Sequence, residues 1–279
     1  MSLQSPSERL VASVATRLPG PPALGRVRLD HWSVLSAVIL GFGLAVFLVV
    51  LTTTQSYGQD FLFYRDIGAR WLAGGPYYLD RQLHGPYDLA LMMDNLYPPT
   101  ALVLFVPLAV LPLPVAAIAW WVVPLSLIGY QLRRVAPARW AWPILALLVA
   151  WPRSGGAVIF GNSDLWVAAS VAAGTIWGWP ALMLLLKPVF APLALLGVAR
   201  RSWWALVPFV VALSVLFIPE WENYVAVIRD SGITPEYSVG GAPLIVMPLI
   251  AWLVRTRVDR VPKRHAASTH IAAPGSADP

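Results

Sequence analysis

The stretch "WSVLSAVILGFGLAVFLVVLTT", Trp32 to Thr53, decides the fold class of this protein. It holds no charged residue, and a hydrocarbon core about 30 Å thick is crossed by about 20 residues of helix. The stretch therefore predicts a membrane-spanning helix. Because it is this long and follows residues 1–31, we interpret it as a span and not as a cleavable signal peptide.

The composition extends this interpretation to the whole chain. Of 279 residues, 58% are hydrophobic and 12% are charged, and the mean hydropathy is +0.65; soluble domains are about 25% charged. Continuous apolar runs predict an all-α, polytopic transmembrane bundle, since a β-barrel would show short alternating segments. There is no cysteine, and the four histidines are scattered, so we expect neither a metal site nor a cofactor.

Apolar runs divide the chain into about eight spans with both termini in the cytoplasm. The candidate spans are 32–53, 98–112, 114–131, 140–152, 164–178, 180–199, 203–219 and 241–254. They form one transmembrane domain over 32–254, between disordered cytoplasmic tails at 1–31 and 255–279. The net charge of +6 lies mainly at membrane edges, where arginine and lysine mark the cytoplasmic side, so we expect no nucleic-acid partner.

Two long loops fall on the outer side of this topology, at 54–97 and 219–240. Together they hold nine of the fourteen acidic residues. The first loop is rich in aromatic residues, which predicts a structured segment, with a short interfacial helix over 66–73. Arg133, Arg134 and Arg139 also fall outside, against the charge rule. Either the short spans are miscounted or these arginines have an extracytoplasmic role, and we favour the second explanation.

Two carboxylates follow the first span, in "YGQDFLFYRD" (57–66). Asp60 lies just beyond the span, where it is either a helix N-cap or a functional carboxylate. Asp66 is four residues before Arg70, which predicts an ion pair along one helix face.

Lys187 is the one charge well inside an apolar run, in "MLLLKPVFAPLA". A charge in hydrocarbon is costly, so Lys187 either has a function or extends to an interface. Asn162 and Ser163, in "FGNSDLW" (160–166), are candidate N-caps, and Tyr97 in "LYPPT" is a candidate interfacial anchor.

In order, these segments resemble the integral-membrane GT-C glycosyltransferases of family 87, the bacterial polyprenol-phosphate-mannose-dependent α-mannosyltransferases. The resemblance rests on "GQDFLFYRDIGARWLAGGPYY" (58–78), "LYPPTALVLFVPLAVLPLPVAAIAW" (96–120), "GNSD" (161–164) and "LLLKPVFAPLALLGVARRSWWAL" (184–206). The sequence departs from the family pattern at Asn162, where glutamine is usual, and at Lys187-Pro188, where residues normally intervene.

The resemblance implies a GT-C fold in the plasma membrane, with an active site facing outward between the two long loops. It implies that Asp60 is the catalytic base of an inverting transfer of a hexose, mannose, from a polyprenyl-phosphate donor to a lipid or glycan acceptor. Tyr64, Tyr97 and Asn162 would line the sugar site. Cations would stabilise the phosphate leaving group, and the candidates are Lys187, Arg133, Arg134 and Arg139.

Two other functions remain open at this point. One is a non-catalytic membrane protein that binds lipid-linked sugar. The other is a small transporter or flippase, which would need polar residues in several spans or paired, interrupted helices near the membrane centre. An outward cavity that joins Asp60 to a lateral lipid groove would favour the enzyme over the non-catalytic protein.

Overall fold

The structure is a computed structural model that describes residues 30–53, 56–88, 94–232 and 240–256. The α-helices are α1 (His31–Thr53), α2 (Gln59–Leu72), α3 (Asp80–Leu83), α4 (Leu102–Val110), α5 (Leu113–Val135), α6 (Trp142–Ala150), α7 (Pro152–Phe160), α8 (Asp164–Trp177), α9 (Arg201–Leu216), α10 (Ile218–Asp230) and α11 (Ala242–Leu253). Short 3-10 helices occupy Pro99–Ala101, Arg139–Ala141, Trp179–Leu186 and Pro188–Gly197. Within these ranges no strand occurs, so the all-α prediction is confirmed. The two predicted tails lie almost entirely outside the described residues.

Fewer helices could cross a membrane than the sequence predicts. In the described ranges α1 and α5, each of 23 residues, are long and apolar enough to span. Two further spans are possible if bent pairs are counted: Arg139–Ala150 with α7, bent by 56°, and α9 with α10, bent by 78°. The first bend lies just before Pro152, because proline has no N–H with which to continue the preceding helix. By length and composition the described residues thus support two to four spans, and the prediction of about eight is not confirmed.

Contacts along α1 define the two ends of the bundle, which we call the Asp30 end and the Asp60 end. Arg139 pairs with Asp30 at 3.5 Å, at the start of α1. The backbone N–H of Gly58, just beyond α1, donates to the carbonyl of Ile159 at 3.0 Å. The bent pair α6–α7 therefore follows α1 from the Asp30 end to the Asp60 end.

The contact between α1 and α6 depends on a glycine. A Cβ at Gly43 would overlap the Cβ of Ala150, whereas a Cβ at Gly41, two residues earlier, would meet nothing within 4 Å. We expect Gly43→Ala to destabilise the protein by about 1–3 kcal/mol through overpacking. The matched variant Gly41→Ala should be neutral or slightly stabilising. Thermal unfolding in detergent checks this, and equal midpoints for the two variants would contradict the packing.

The predicted span 98–112 corresponds to the short apolar helical segment Pro99–Val110, which falls short of the length that one spanning helix needs, so this span is not confirmed. This segment joins the 3-10 helix Pro99–Ala101 to α4 and rises about 20 Å. It packs against α2 so closely that a Cβ at Gly68 would overlap the carbonyl of Phe105. The aromatic residues of the first predicted loop form a core with these two helices. Buried members of this core include Phe61, Tyr64, Tyr77, Tyr78, Phe105 and Trp120.

The predicted span 180–199 is a hairpin of two 3-10 helices, Trp179–Leu186 and Pro188–Gly197, with Lys187 at its tip. The backbone of Lys187 (φ −131°, ψ 90°) separates the two segments. Pro188 and Pro192 lack the N–H groups that a continuous α-helix needs. The other end of the hairpin lies at the far end of α8, where Gly197 contacts the carbonyl of Gly178. Lys187 is therefore at the tip of a hairpin and not in the middle of a span.

The three anomalous arginines lie at the Asp30 end. Arg133 and Arg134 are in the last turn of α5, and Arg139 pairs with Asp30. Pro137 forms an isolated β-bridge with Arg255, which lies near the end of the described residues. These contacts place the basic residues at 133–139 and at 255 at the end where α1 begins, and the conflict with the charge rule disappears.

Candidate active site

Three consecutive residues at the start of α8 bring most of the predicted site together. The Nδ2 of Asn162 donates to Oδ2 of Asp60 at 2.7 Å. The hydroxyl of Ser163 hydrogen-bonds that of Tyr97 at 2.8 Å. The carboxylate of Asp164 forms an ion pair with the ammonium of Lys187. The turn 162–164 thus joins α2, the 94–97 segment and the 3-10 hairpin at one point.

A glycine and two tryptophans place this turn against α2. Gly161 ends α7 in the left-handed region, at φ 71°, which glycine adopts at little cost. A Cβ there would lie 2.8 Å from the ring of Trp121 and 2.9 Å from Cβ of Phe61. The indole N–H of Trp120 donates to the carbonyl of Gly161 at 2.8 Å. The chain at 161 therefore approaches α2 closely enough for Asn162 to contact Asp60.

Asp60 is the second residue of α2 and does not cap it. The N-cap is Gly58, at φ 63°, with no side-chain cap bond. The Asp60 carboxylate is half-buried, and burial raises its pKa, with a smaller contribution from the Asp164 carboxylate. The hydrogen bond from Asn162 and the Lys187 charge oppose this effect. Asp60 is therefore a stronger base than an exposed aspartate, and it is held by one amide.

Tyr64 and Tyr97 form a buried hydroxyl chain with Ser163. The two tyrosine hydroxyls are 2.7 Å apart, and the Tyr64 hydroxyl also accepts the backbone N–H of Ser163 at 3.3 Å. Burial raises the pKa of both tyrosines. They remain protonated across the physiological range and serve as neutral hydrogen-bonding groups.

A cavity of about 170 Å³ extends from this cluster into the bundle. Its wall follows one face of α8 from Ser163 to Ala173, about 15 Å of helix. Tyr97, Ser163 and Lys187 lie at the Asp60 end, and most of the other lining side chains are apolar. Trp179, near the opposite end, lines the cavity and is 45% exposed. Asp60 is outside this wall and is connected to it through Asn162 and Ser163.

One wall residue of this cavity carries an unused donor. The indole Nε1 of Trp166 is buried, and no described residue accepts its hydrogen. The ring of Trp166 packs on Trp120 with centroids 5.4 Å apart. A buried N–H group without a partner is costly, so this donor is a feature of the cavity wall that the fold itself does not use.

Several predicted residues are not part of this cluster. Arg133, Arg134 and Arg139 lie at the Asp30 end, and α1 alone separates the two ends by roughly 34 Å. The structure therefore does not bring them near Asp60 or Lys187. Asp66 pairs with Arg70 at 3.9 Å along α2, which confirms the predicted i,i+4 pair.

Sequence reasoning missed the roles of Ser163 and Asp164. Both were within a motif that was interpreted mainly as a helix cap. The pairing of Asp164 with Lys187 joins residues 23 positions apart. The signal that could have found it is an isolated charge in each of two apolar segments, because buried opposite charges pair. No described group of three or more histidine or acidic side chains could hold a metal ion.

Apolar helices long enough to span a membrane indicate a membrane protein, and its buried polar cluster lies at the end of an apolar cavity. The sequence profile of glycosyltransferase family 87 matches residues 95–240. Since this range is more than half of the 279 residues, the chain belongs to glycosyltransferase family 87. No curated protein matches the chain, and no solved structure does. The matched range contains Tyr97, the turn 162–164 and Lys187, and Asp60 precedes it.

Proposed function

We propose that this protein transfers a hexose, mannose, from a polyprenyl-phosphate donor to a lipid or glycan acceptor, with inversion and with Asp60 as the general base. The family supplies the general reaction, transfer of a sugar from a donor to an acceptor. The observation that carries the specific proposal is the turn 162–164. It holds a carboxylate of raised pKa on one side, and on the other a lysine at the polar end of an apolar cavity.

The residues of the cluster divide the reaction between them. Asp60 takes the proton of the acceptor hydroxyl as the acceptor oxygen bonds to the anomeric carbon. The bond between that carbon and the phosphate oxygen breaks, and polyprenyl phosphate leaves with the electron pair. Lys187 stabilises the charge that develops on the phosphate. Tyr64, Tyr97 and Asn162 hydrogen-bond the sugar or orient Asp60.

The charge distribution supports an outward-facing site in the plasma membrane. Basic residues cluster at the Asp30 end, which includes Arg133, Arg134, Arg139 and Arg255. Helices α2, α3 and α10 lie at the Asp60 end and carry six acidic residues against four arginines; the carbonyl of Asp230 in α10 accepts the N–H of Tyr87 there at 3.3 Å. The Asp30 end then faces the cytoplasm, and Asp60 faces outside.

The apolar cavity supports a lipid-linked donor, because it offers a place for the prenyl chain. A larger side chain in its wall would fill it and so test this role. Ala173 lies in the wall about 15 Å from Ser163 along α8. Ala173→Leu should fill this part and raise the KM for polyprenyl-phosphate mannose by about tenfold, through lost burial of the prenyl chain. Transfer assays in detergent, with a full-length donor and a short-chain prenyl-phosphate mannose, measure the effect.

The short-chain donor is the internal control, because its tail does not reach Ala173 and its KM should be unchanged. Ala173→Ser, which leaves most of the cavity open, is the matched variant and should behave as wild type. Equal losses with both donors would show that Ala173→Leu disturbs the site and not the binding of the chain.

A flippase or transporter is less well supported by the described charges. Lys187 and Asp164 form an ion pair at the hairpin tip, and farther along the cavity the wall adds the hydroxyl of Ser170 but no further charge among the described residues. The non-catalytic alternative predicts donor binding without turnover. The comparison of Asp60→Asn with wild type, given in the Discussion, separates it from the enzyme.

A further inference from the structure

Asp164 has more contacts than an ordinary first residue of a helix requires. Its backbone N–H donates to Oδ1 of Asn162 at 3.0 Å, and its carboxylate pairs with Lys187. Its side chain is 10% exposed. On another side the chain passes so close that a Cβ at Gly241 would overlap the carboxylate. Asp164 is therefore fixed by its own helix, by the hairpin tip and by the segment that precedes α11.

Lys187 lies between Asp164 and the cavity. The Lys187 side chain is part of the cavity wall, whereas Asp164 is not. An ammonium has three N–H donors, so it can hold a carboxylate on one side and a phosphate on the other. A lysine on a flexible four-carbon stem adopts many orientations unless something fixes it. In this structure the buried carboxylate of Asp164 pairs with the ammonium, and the ring of Phe190 lies 5.9 Å from it.

We propose that Asp164 is a positioning residue, which holds the Lys187 ammonium at the polar end of the cavity so that it meets the donor phosphate. The role extends to Asp60, since the amide of Asn162 connects the backbone of Asp164 to the Asp60 carboxylate. Asn162 thereby holds the base, Asp60, and the next residue but one, Asp164, holds the phosphate-binding cation, Lys187. This inference rests on the proposed lipid-phosphate donor.

The test is Asp164→Asn, which keeps the size of the side chain and the backbone bond to Asn162 and removes the charge. The KM for polyprenyl-phosphate mannose should rise about tenfold or more, as expected for loss of a charge-assisted contact. The matched control is Asp66→Asn on α2, which removes an exposed carboxylate that pairs only loosely, at 3.9 Å, with Arg70. Its donor KM should equal that of wild type.

The pH profile gives a second readout that a purely structural role would not change. Asp60 acts as a base when deprotonated, so the rate rises as the pH passes through its pKa. Of the described charged groups, Asp164 raises this pKa and Lys187 lowers it, while Asn162 is a neutral partner. Without the Asp164 charge the pKa of Asp60 falls, and the acid limb of kcat/KM should move to lower pH.

A second variant covers the case in which Asp164→Asn does not fold. Gly241→Ala keeps both charges but pushes the Asp164 carboxylate aside, and it should raise the donor KM in the same way. Gly240→Ala is its control, because the added methyl meets the flexible end of the Arg153 side chain. A wild-type donor KM and acid limb in Asp164→Asn, or a wild-type donor KM in Gly241→Ala, would overturn the inference. Absence of transfer by the wild type would instead overturn the proposed function.

Discussion

Asp60→Asn is expected to lower kcat by about 10²–10⁴-fold, the usual contribution of a general base. The amide keeps the shape of the carboxylate but cannot accept the proton of the acceptor hydroxyl. Asp60 is half-buried at the start of α2 and touches the amide of Asn162 at 2.7 Å. The variant should therefore remain inserted and folded, which thermal unfolding in detergent checks.

Asp66→Asn is the matched control for this experiment. Asp66 is on the same helix, but its side chain is 72% exposed and its partner is Arg70. It should keep near-normal turnover. If Asp60→Asn also kept near-normal turnover, Asp60 would not be the base and the proposed mechanism would fail.

Lys187→Met is expected to have the second largest effect, because it removes a cation and also leaves a carboxylate buried without its ammonium. Asp164 is 10% exposed, and breaking a buried ion pair on one side costs on the order of 3 kcal/mol. The variant should unfold at a lower temperature than wild type. Its transfer rate should fall by at least about 10²-fold, because the developing charge on the leaving phosphate is no longer stabilised.

The double variant Lys187→Met/Asp164→Asn separates stability from activity. Removing both charges leaves no buried carboxylate, so most of the lost stability should return. Activity should not return, since the cation is still absent. Recovery of both stability and transfer would show that Lys187 serves the fold and not the phosphate.

Much of the site could be predicted from the sequence, because isolated polar residues in an apolar chain are informative. Asp60, Tyr64, Tyr97, Asn162 and Lys187 were all candidates, and the structure brings them together around one turn. Asp164 was not a candidate, since its pairing with Lys187 depends on how a hairpin folds back along α8. Contacts between residues distant in sequence leave no periodic pattern.

The topology was harder to predict, and the reasons are physical. An apolar run of 15 residues at 98–112 looks like a short span, but Leu102, Phe105 and Leu108 are buried in the aromatic core that includes α2. A run of 20 residues at 180–199 has the length of a span, yet its prolines fold it into a hairpin. The arginines at 133–139 were the signal that something was miscounted. Arg139 pairs with Asp30, so the structure places these arginines at the start of α1 and not near Asp60.

The central claim is tested most directly by transfer of labelled mannose from polyprenyl-phosphate mannose to membrane acceptors. Membranes that contain the wild-type chain should label a lipid or glycan acceptor and release polyprenyl phosphate, whereas matched membranes with Asp60→Asn should not. Labelling of equal strength in both, or labelling from a nucleotide-linked mannose but not from the lipid-linked donor, would contradict the account.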